Sequence, residues 1–345
     1  MIHQGTVSGV ATFRNEKCLV YLSVSLKESK PYRVSNTRTT NETSVIGQGS
    51  RLALCHCSSM MCLVTLSAIS NEKMRQFCLR AVKTGCINAH SPDKYGHYRE
   101  AKYTQTKHHW FWKLNHVFDF LDVTKNFHGP VLLIEEDHYM VEDFVPVLRL
   151  MYRLKEQTCK DCSIFTLGTY DKRPQYYASS SKGLFERLFG NNQETPPLLD
   201  KVDVMNWISS KHNMGMSLNR QVWEQIKKCS KPFCEFDDYN WDWSLQHVSM
   251  QCMPSKIRCM VMKSPRIFHI GECGVHHKGK NCDPGTKVRQ IQNLLTLNHD
   301  KLFPDGLTVA GNPRTPNRMP KPNGGWGDFR DRQLCASFAT PEGHR

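Results

Sequence analysis

Glu135, Glu136 and Asp137 follow directly on the apolar run Val131-Leu132-Leu133-Ile134 and are the residues of this chain best placed for chemistry. Adjacent acidic groups repel unless a cation or a proton relieves them. A buried strand ending in carboxylates stands where open α/β sheets bind metals and ligands. The same residues also suit a solvated turn opening the next helix, because acids favour helix N-termini. Three other clusters could act with them. Gln105-Thr106-Lys107-His108-His109 gathers a lysine and two histidines near a predicted helix start, where free N–H groups bind phosphate; it also reads as a polar helix entry with Trp110 and Trp112 in the core. Asp237 to Trp243, DDYNWDW, sets three acids among three aromatics. A carboxylate desolvated there could be a general base beside Trp241 and Trp243 as a wall for a sugar ring, or simply a cap for the following helix. His269 follows a strand-like run from Cys259 to Phe268 and is a structural histidine or a ligand. One His and one Asp would leave most of an octahedral site open for diphosphate oxygens and water, as suits manganese or magnesium. His276 and His277 are further candidates in a loop-like setting.

These clusters need elements to position them. Trp110, Leu114, Val117, Phe118 and Leu121 recur at helical spacing and predict a helix over Thr104 to Leu121. A buried strand at Val131 to Ile134 comes next, bounded by Gly129-Pro130 and by charge. A second helix is predicted with Phe144, Val147, Leu148, Met151 and Leu154 on one face. Further strands are expected at Ile164 to Gly168 and Val202 to Trp207, which together make an α/β layer arrangement. Residues 178–199 read as a surface insertion. The stretch from Asn312, NPRTPNRMPKPNGGWGDFRD, reads as a Pro- and Gly-rich loop rather than an element.

The 345 residues supply enough chain for one large or two ordinary domains. The net charge of +14 is scattered rather than blocked, and no zinc-finger or RNP pattern accompanies it. It therefore suits an anionic small ligand or acidic surroundings, and no nucleic-acid partner is expected. Fifteen cysteines is a high count for a reducing compartment. Their close pairs allow bridges or a metal; because Cys159-Cys162 has no partner pair at finger spacing, disulfides and a secretory compartment are favoured. The sequon Asn41-Glu42-Thr43 fits the same compartment. Leu52 to Ile69 is an uncharged run of eighteen residues, marginal as a membrane span that needs about 20 mainly apolar residues.

In order along the chain, GCINA at Gly85, GHYREAKYTQTKHH at Gly96, EEDHY at Glu135, SIFTLGTY at Ser163, KVDV at Lys201, HNMG at His212, DDYNWDW at Asp237, RIFHIGECGVHHK at Arg266 and NGGWGDFRD at Asn323 resemble the N-acetylglucosaminyltransferase II family. The likeness covers roughly residues 84–338. It implies a glycosyltransferase A (Rossmann-like) fold, manganese, and inverting transfer of N-acetylglucosamine from UDP-N-acetylglucosamine in β1,2 linkage to the α1,6-arm mannose of N-glycans on glycoproteins. It also implies a Golgi membrane location with the catalytic domain in the lumen. By the resemblance, Asp137 and His269 are the metal ligands and Asp242 is the base. Gln105, Thr106, Lys107, His108, His109 and Arg173 fall on donor-binding positions. Glu135, Lys113, Asn213, Tyr239 and Trp241 fall near the acceptor. Family pairing joins Cys159 to Cys162, Cys229 to Cys252, Cys234 to Cys335 and Cys273 to Cys282. Cys86 would need a partner from upstream, for which Cys78 is the nearest substitute.

The departure is at the front. Residues 1–83 carry neither the Q-V-H-N-R-like strand and loop that contacts uridine in the family nor its expected membrane anchor. They are read as a divergent, poorly ordered or misassembled segment before a catalytic domain over residues 84–340. The first nucleotide-binding strands are thus expected to be missing, leaving a sheet edge bare. A second reading follows, an inactive truncated homologue acting as a glycan-binding or interaction protein. A glycosidase with two carboxylates is disfavoured, since hydrolysis requires neither the histidine nor the QTKHH cluster.

Overall fold

The structure is a computed structural model and describes residues 10–11, 19–22, 99–135, 137–170, 198–271, 283–313, 319 and 321–340. The chain divides into two compact units: Met1–Ser25, Phe127–Glu224 and Met253–Arg318 form the first; Leu26–Asn126, Gln225–Cys252 and Met319–Arg345 form the second.

Among the described residues of the first unit, ten strands make two sheets. They are β1 (Val10–Ala11), β2 (Leu19–Leu22), β3 (Val131–Ile134), β4 (His138–Met140), β5 (Cys162–Thr166), β6 (Lys201–Asn206), β7 (Met216–Leu218), β8 (Arg258–Met262), β9 (Ile267–His269) and β10 (Thr308–Gly311). Eight form a mixed sheet in the order β1-β2-β3-β7-β5-β8-β6-β10, and β4 pairs antiparallel with β9. The run VLLI is a central strand because neighbours take up its backbone groups on both sides: β2 runs parallel to it and β7 antiparallel. The expected bare edge is therefore corrected. Leu19–Leu22, an apolar tetrapeptide in a polar segment, pairs along all of β3 from Leu19↔Val131 to Leu22↔Ile134.

Helix α1 (Ala101–Asn115) runs on into a π-helical turn at His116–Phe120. Helix α2 (Phe144–Thr158) follows β4. The predicted apolar face of α2 is its core face: Val147, Leu148 and Met151 are fully buried against Leu132, Ile134, Phe165, Val202 and Met260 of the sheet. The strand-like run from Cys259 to Phe268 is two strands, not one. Lys263 to Arg266 break it, and β8 joins the large sheet while β9 joins β4.

That break is held by a buried ion pair. Arg266 and Asp143 are both 0% exposed. Arg266 Nε donates to Asp143 Oδ1 and Oδ2 at 2.7 and 2.9 Å, and its Nη atoms donate to the carbonyls of Ser264 and Leu199. Asp143 Oδ2 also accepts from the Phe303 N–H at 3.1 Å. Val141 N donates to Arg266 O at 2.9 Å, which ties the end of β4 to the start of β9.

The remaining helices are α3 (Arg220–Lys228), α4 (Ser230–Glu235), α5 (Trp241–Gln251), α6 (Gly285–Thr296) and α7 (Phe329–Ser337). The end of the stretch from Asn312 is an element rather than loop, because α7 starts at Phe329 and is capped by Asp328, whose side chain accepts from Arg330 N. Three disulfides are present among the described residues, Cys159–Cys162 in the first unit and Cys229–Cys252 and Cys234–Cys335 in the second. These are pairings implied by the resemblance. Cys273 and Cys282 lie outside the described residues, as do residues 178–197 of the expected insertion. No described helix is long and apolar enough to cross a membrane.

Removing one partner of a buried pair strands the other charge, at a cost of about 3–5 kcal/mol. Arg266→Met should lower the unfolding free energy in urea by that amount, and Asp143→Leu/Arg266→Met by clearly less. A loss under about 1 kcal/mol for the single variant would show that the pair does not anchor the fold.

Candidate active site

Strands β4 and β9 bring the first constellation together. Their register sets His138 opposite His269, and Ile270 N donates to Asp137 O at 2.8 Å. Asp137 Oδ2 then lies 3.0 Å from His269 Nε2. Gly271 permits this approach, since a Cβ there would fall 2.4 Å from Asp137 Oδ2. Burial alone would raise the Asp137 carboxyl, but the hydrogen bond and charge of His269 outweigh it and hold the group below its ordinary value. Glu135, Asp137 and His138 each present a ligand atom within 4.8 Å of the others.

The residues present fit a divalent cation. Asp137 Oδ1 is buried without a hydrogen-bond partner among the described residues, and carboxylate with imidazole is a donor set that manganese accepts. Glu136 lies outside the described residues. Neither motif nor spacing assigns His138 a role. It is 9% exposed, and burial lowers its pKa to about 4. Its position after the acids was the available signal, but nothing in the spacing separates it from an ordinary strand histidine.

The second unit holds the other two clusters. Gln105 to His109 lie within α1 rather than at its start, which is at Ala101 after Glu100. The free N–H groups of the helix end are therefore not theirs, and the helix-terminus route to phosphate does not apply to them. Lys107 is fully buried and points inward: its Nζ donates to Phe236 O at 3.0 Å and Asp238 O at 3.1 Å and sits 4.3 Å from the Trp326 ring centre. Burial drives its pKa well down, against the pull of Asp238 and Asp237. Thr106 Oγ1 lies 2.7 Å from Tyr103 O and 3.0 Å from Tyr239 O, two acceptors for its one proton. Gln105, His108 and His109 line a groove of about 370 Å³ together with Arg99, Trp112 and Phe338. His109 has its pKa lowered to about 4 by burial and then by the charge of Lys113.

Within DDYNWDW the three acids have separate fates. Asp237 Oδ1 accepts from Trp326 N. Asp238 is raised by burial although Asn323 and Asn240 donate to it through backbone and side-chain nitrogens. Asp242 is 7% exposed in the first turn of α5, which begins after Asn240. Trp241 stacks on Trp110 with ring centres 4.4 Å apart and planes 5° from parallel, so one of its faces is already covered. The Tyr239 ring meets that of Tyr103 at a tilt of 32°, with centres 5.0 Å apart. Asn213 lies in the first unit with Glu135. Arg173 lies outside the described residues.

A strand-end carboxylate facing a histidine, on a mixed α/β fold with disulfides, defines a protein with a site competent for a divalent cation. Residues 77–335 match the family model of N-acetylglucosaminyltransferase II (MGAT2), and the chain belongs to that family. The alpha-1,6-mannosyl-glycoprotein 2-beta-N-acetylglucosaminyltransferase of Rattus norvegicus is 44% identical over 259 residues, which cover 75% of this chain and 54% of that protein. The Homo sapiens protein of the same name is 43% identical over 259 residues, with the same coverage of each chain. The Arabidopsis thaliana protein of that name is 32% identical over 256 residues, 72% of this chain and 53% of that one. The chain spans about half the length of the curated relatives it matches.

Two outcomes check this geometry. Gly271→Ala should push Asp137 off His269 and weaken manganese binding, read by the paramagnetic resonance of free Mn2+, about 10- to 100-fold. Gly306→Ala, where a Cβ meets nothing within 4 Å, should leave it unchanged; equal binding by both variants would sever Gly271 from the site. The second outcome concerns Asp331, which accepts from Arg99 Nε at 2.6 Å and faces His108 Nε2 at 2.9 Å. Burial alone would raise this carboxyl, and hydrogen bonds from His108 and Arg99 hold it below the usual range. Its stabilisation is complete above the unfolded carboxylate value of about 4 and is lost as pH falls through the lower folded value. The melting temperature should therefore fall more steeply on acidification below about pH 4 than that of Asp331→Asn; parallel curves would remove Asp331 from the acid response.

Proposed function

We propose that the chain is an inverting, manganese-dependent glycosyltransferase of glycosyltransferase A fold. It moves N-acetylglucosamine from UDP-N-acetylglucosamine in β1,2 linkage to the α1,6-arm mannose of N-glycans, on the lumenal side of the Golgi membrane. Family membership over residues 77–335 supports the reaction class, and the names of the relatives supply donor sugar, linkage and acceptor. The observation that carries the reading is the approach of Asp137 Oδ2 to His269 Nε2 at 3.0 Å, with the other Asp137 oxygen buried and lacking a partner among the described residues.

Asp137 and His269 would hold the manganese. When bound, the ion supplies positive charge where the departing diphosphate develops negative charge. Asp242 takes the proton from the 2-hydroxyl of the acceptor mannose as that oxygen attacks the anomeric carbon. Burial of Asp242 and its fixed place in the first helical turn suit that role. Gln105 offers an exposed polar group to the donor, His108 and His109 line the groove beside it, and Arg173 is a further donor contact. Lys107 and Thr106 act from behind, holding the carbonyls of Phe236, Asp238 and Tyr239 that precede Asp242. Glu135, Lys113, Asn213, Tyr239 and Trp241 orient the acceptor, Trp241 through the face not covered by Trp110. The comparisons lend no support to the binding-only alternative.

Incubation of the full, oxidised chain with UDP-N-acetylglucosamine, manganese and a hybrid-type N-glycan should yield a β1,2-linked product. Asp242→Asn should lower kcat about 10²- to 10⁴-fold, the range expected on losing a positioned base, with donor KM little changed. No product from a chain that melts cooperatively with its disulfides intact would sink the assignment.

A further inference from the structure

The polar atoms around Asp137 leave two requirements unmet. Glu135 N lies 3.2 Å from His138 Nδ1 and, being an amide N–H, can only donate. Nδ1 is therefore the lone-pair nitrogen of the ring, and the proton of the neutral imidazole sits on Nε2. His138 Nε2 is buried and has no hydrogen-bond partner among the described residues, and neither has Asp137 Oδ1. An isolated buried donor or acceptor is costly to leave unmade. Here one of each belongs to neighbouring residues of one cluster, Glu135, Asp137 and His138, each of which brings a ligand atom within 4.8 Å of the others.

The two needs are of opposite sign. A carboxylate oxygen calls for a cation or a donor, whereas an N–H calls for an anionic or carbonyl oxygen. His138 Nε2, already protonated, offers no lone pair to a metal, so it cannot be a third ligand beside Asp137 and His269 without giving up the Glu135 N–H. A ligand satisfying both atoms carries a cation and an anionic oxygen together, as does a divalent cation chelated by a diphosphate. We infer that His138 contacts the sugar-nucleotide donor: its Nε2–H donates to a phosphate oxygen of the UDP moiety, while Asp137 holds the cation. This rests on the function proposed above and adds a donor contact from the strand that follows the carboxylates. The Glu135 amide is the orienting group, because it fixes which ring nitrogen bears the proton.

His138→Asn and His138→Gln separate this role from a structural one. An asparagine oxygen can take the place of Nδ1 and accept from Glu135 N, but leaves no donor at the Nε2 position; a glutamine amide can supply that donor. Manganese binding by paramagnetic resonance and UDP binding by calorimetry in saturating manganese are measured on the full chain. His138→Asn should bind manganese within about twofold of the parent and UDP about tenfold or more weakly, as befits a lost hydrogen bond to a charged group. His138→Gln should keep UDP affinity within about threefold. Unchanged UDP affinity in His138→Asn overturns the contact, and so does a large loss of manganese binding in that variant. If substitution prevents folding, nitrogen-15 spectra of the parent chain decide: Nε2 should be the protonated nitrogen, with its proton shifted on addition of UDP and diamagnetic magnesium. A proton on Nδ1, or no shift, refutes the inference. A parent chain that binds no UDP at all refutes the function reading itself, a result distinct from parent binding that His138→Asn retains.

Discussion

Arg266 and Asp143 are both removed from water, and neither can be left there without the other. Isolated buried charges cost several kcal/mol each, so the fold around them must bring the chain segments before α2 and before β9 to one place. Every partner of the guanidinium is fixed: two carboxylate oxygens and the carbonyls of Ser264 and Leu199. Because Val141 N also bonds Arg266 O, the pair sets the register of β4 on β9. That register is what turns Asp137 toward His269. The metal-competent site is thus a consequence, two strands long, of an ion pair that touches no ligand.

The second unit solves a similar problem with other means. DDYNWDW has no strand to hold it, yet it must present Asp242 in a fixed first turn. Buried Lys107 donates to the carbonyls of Phe236 and Asp238, and the Asp238 carboxylate gathers four N–H groups from Asn240 and Asn323. Bridges from Cys229 to Cys252 and Cys234 to Cys335 then close the flanking helices. A lysine that reads in the sequence as a phosphate contact is a brace, because its Nζ lies over the rings of Phe233 and Trp326 and donates to the carbonyls of Phe236 and Asp238.

Where local pattern decides structure, the sequence was legible. The apolar spacing of α2 marks its core face, and VLLI between Gly129-Pro130 and three acids could hardly be other than a buried strand. The start of α1 was not legible, because Glu100 makes no side-chain cap and nothing near Ala101 signals an N-terminus. Nor was the split of Cys259 to Phe268 into two sheets, since Arg266 is made a core residue by Asp143, 123 positions away. β2 eluded pattern reading for the same reason: four apolar residues become a strand only through their partner β3. Of the candidate site, the family resemblance singles out Asp137 and His269, whereas their 3.0 Å approach depends on that distant ion pair and on the missing side chain at Gly271.

The contrast between satisfied and unsatisfied polar groups separates architecture from function. At zero exposure every nitrogen of the Arg266 guanidinium and both carboxylate oxygens of Asp143 have a hydrogen-bond partner, as do both carboxylate oxygens of Asp238. Asp137 Oδ1 and His138 Nε2 are buried to a similar degree and lack partners among the described residues. Folding alone would favour replacing such atoms by apolar ones, since a half-made polar network is worse than none. Their persistence in one cluster, with complementary signs, is the mark of atoms whose partners arrive with a ligand. The strand end at Ile134 is specialised less by the number of its acids than by having one buried acceptor and one buried donor kept open on neighbouring residues.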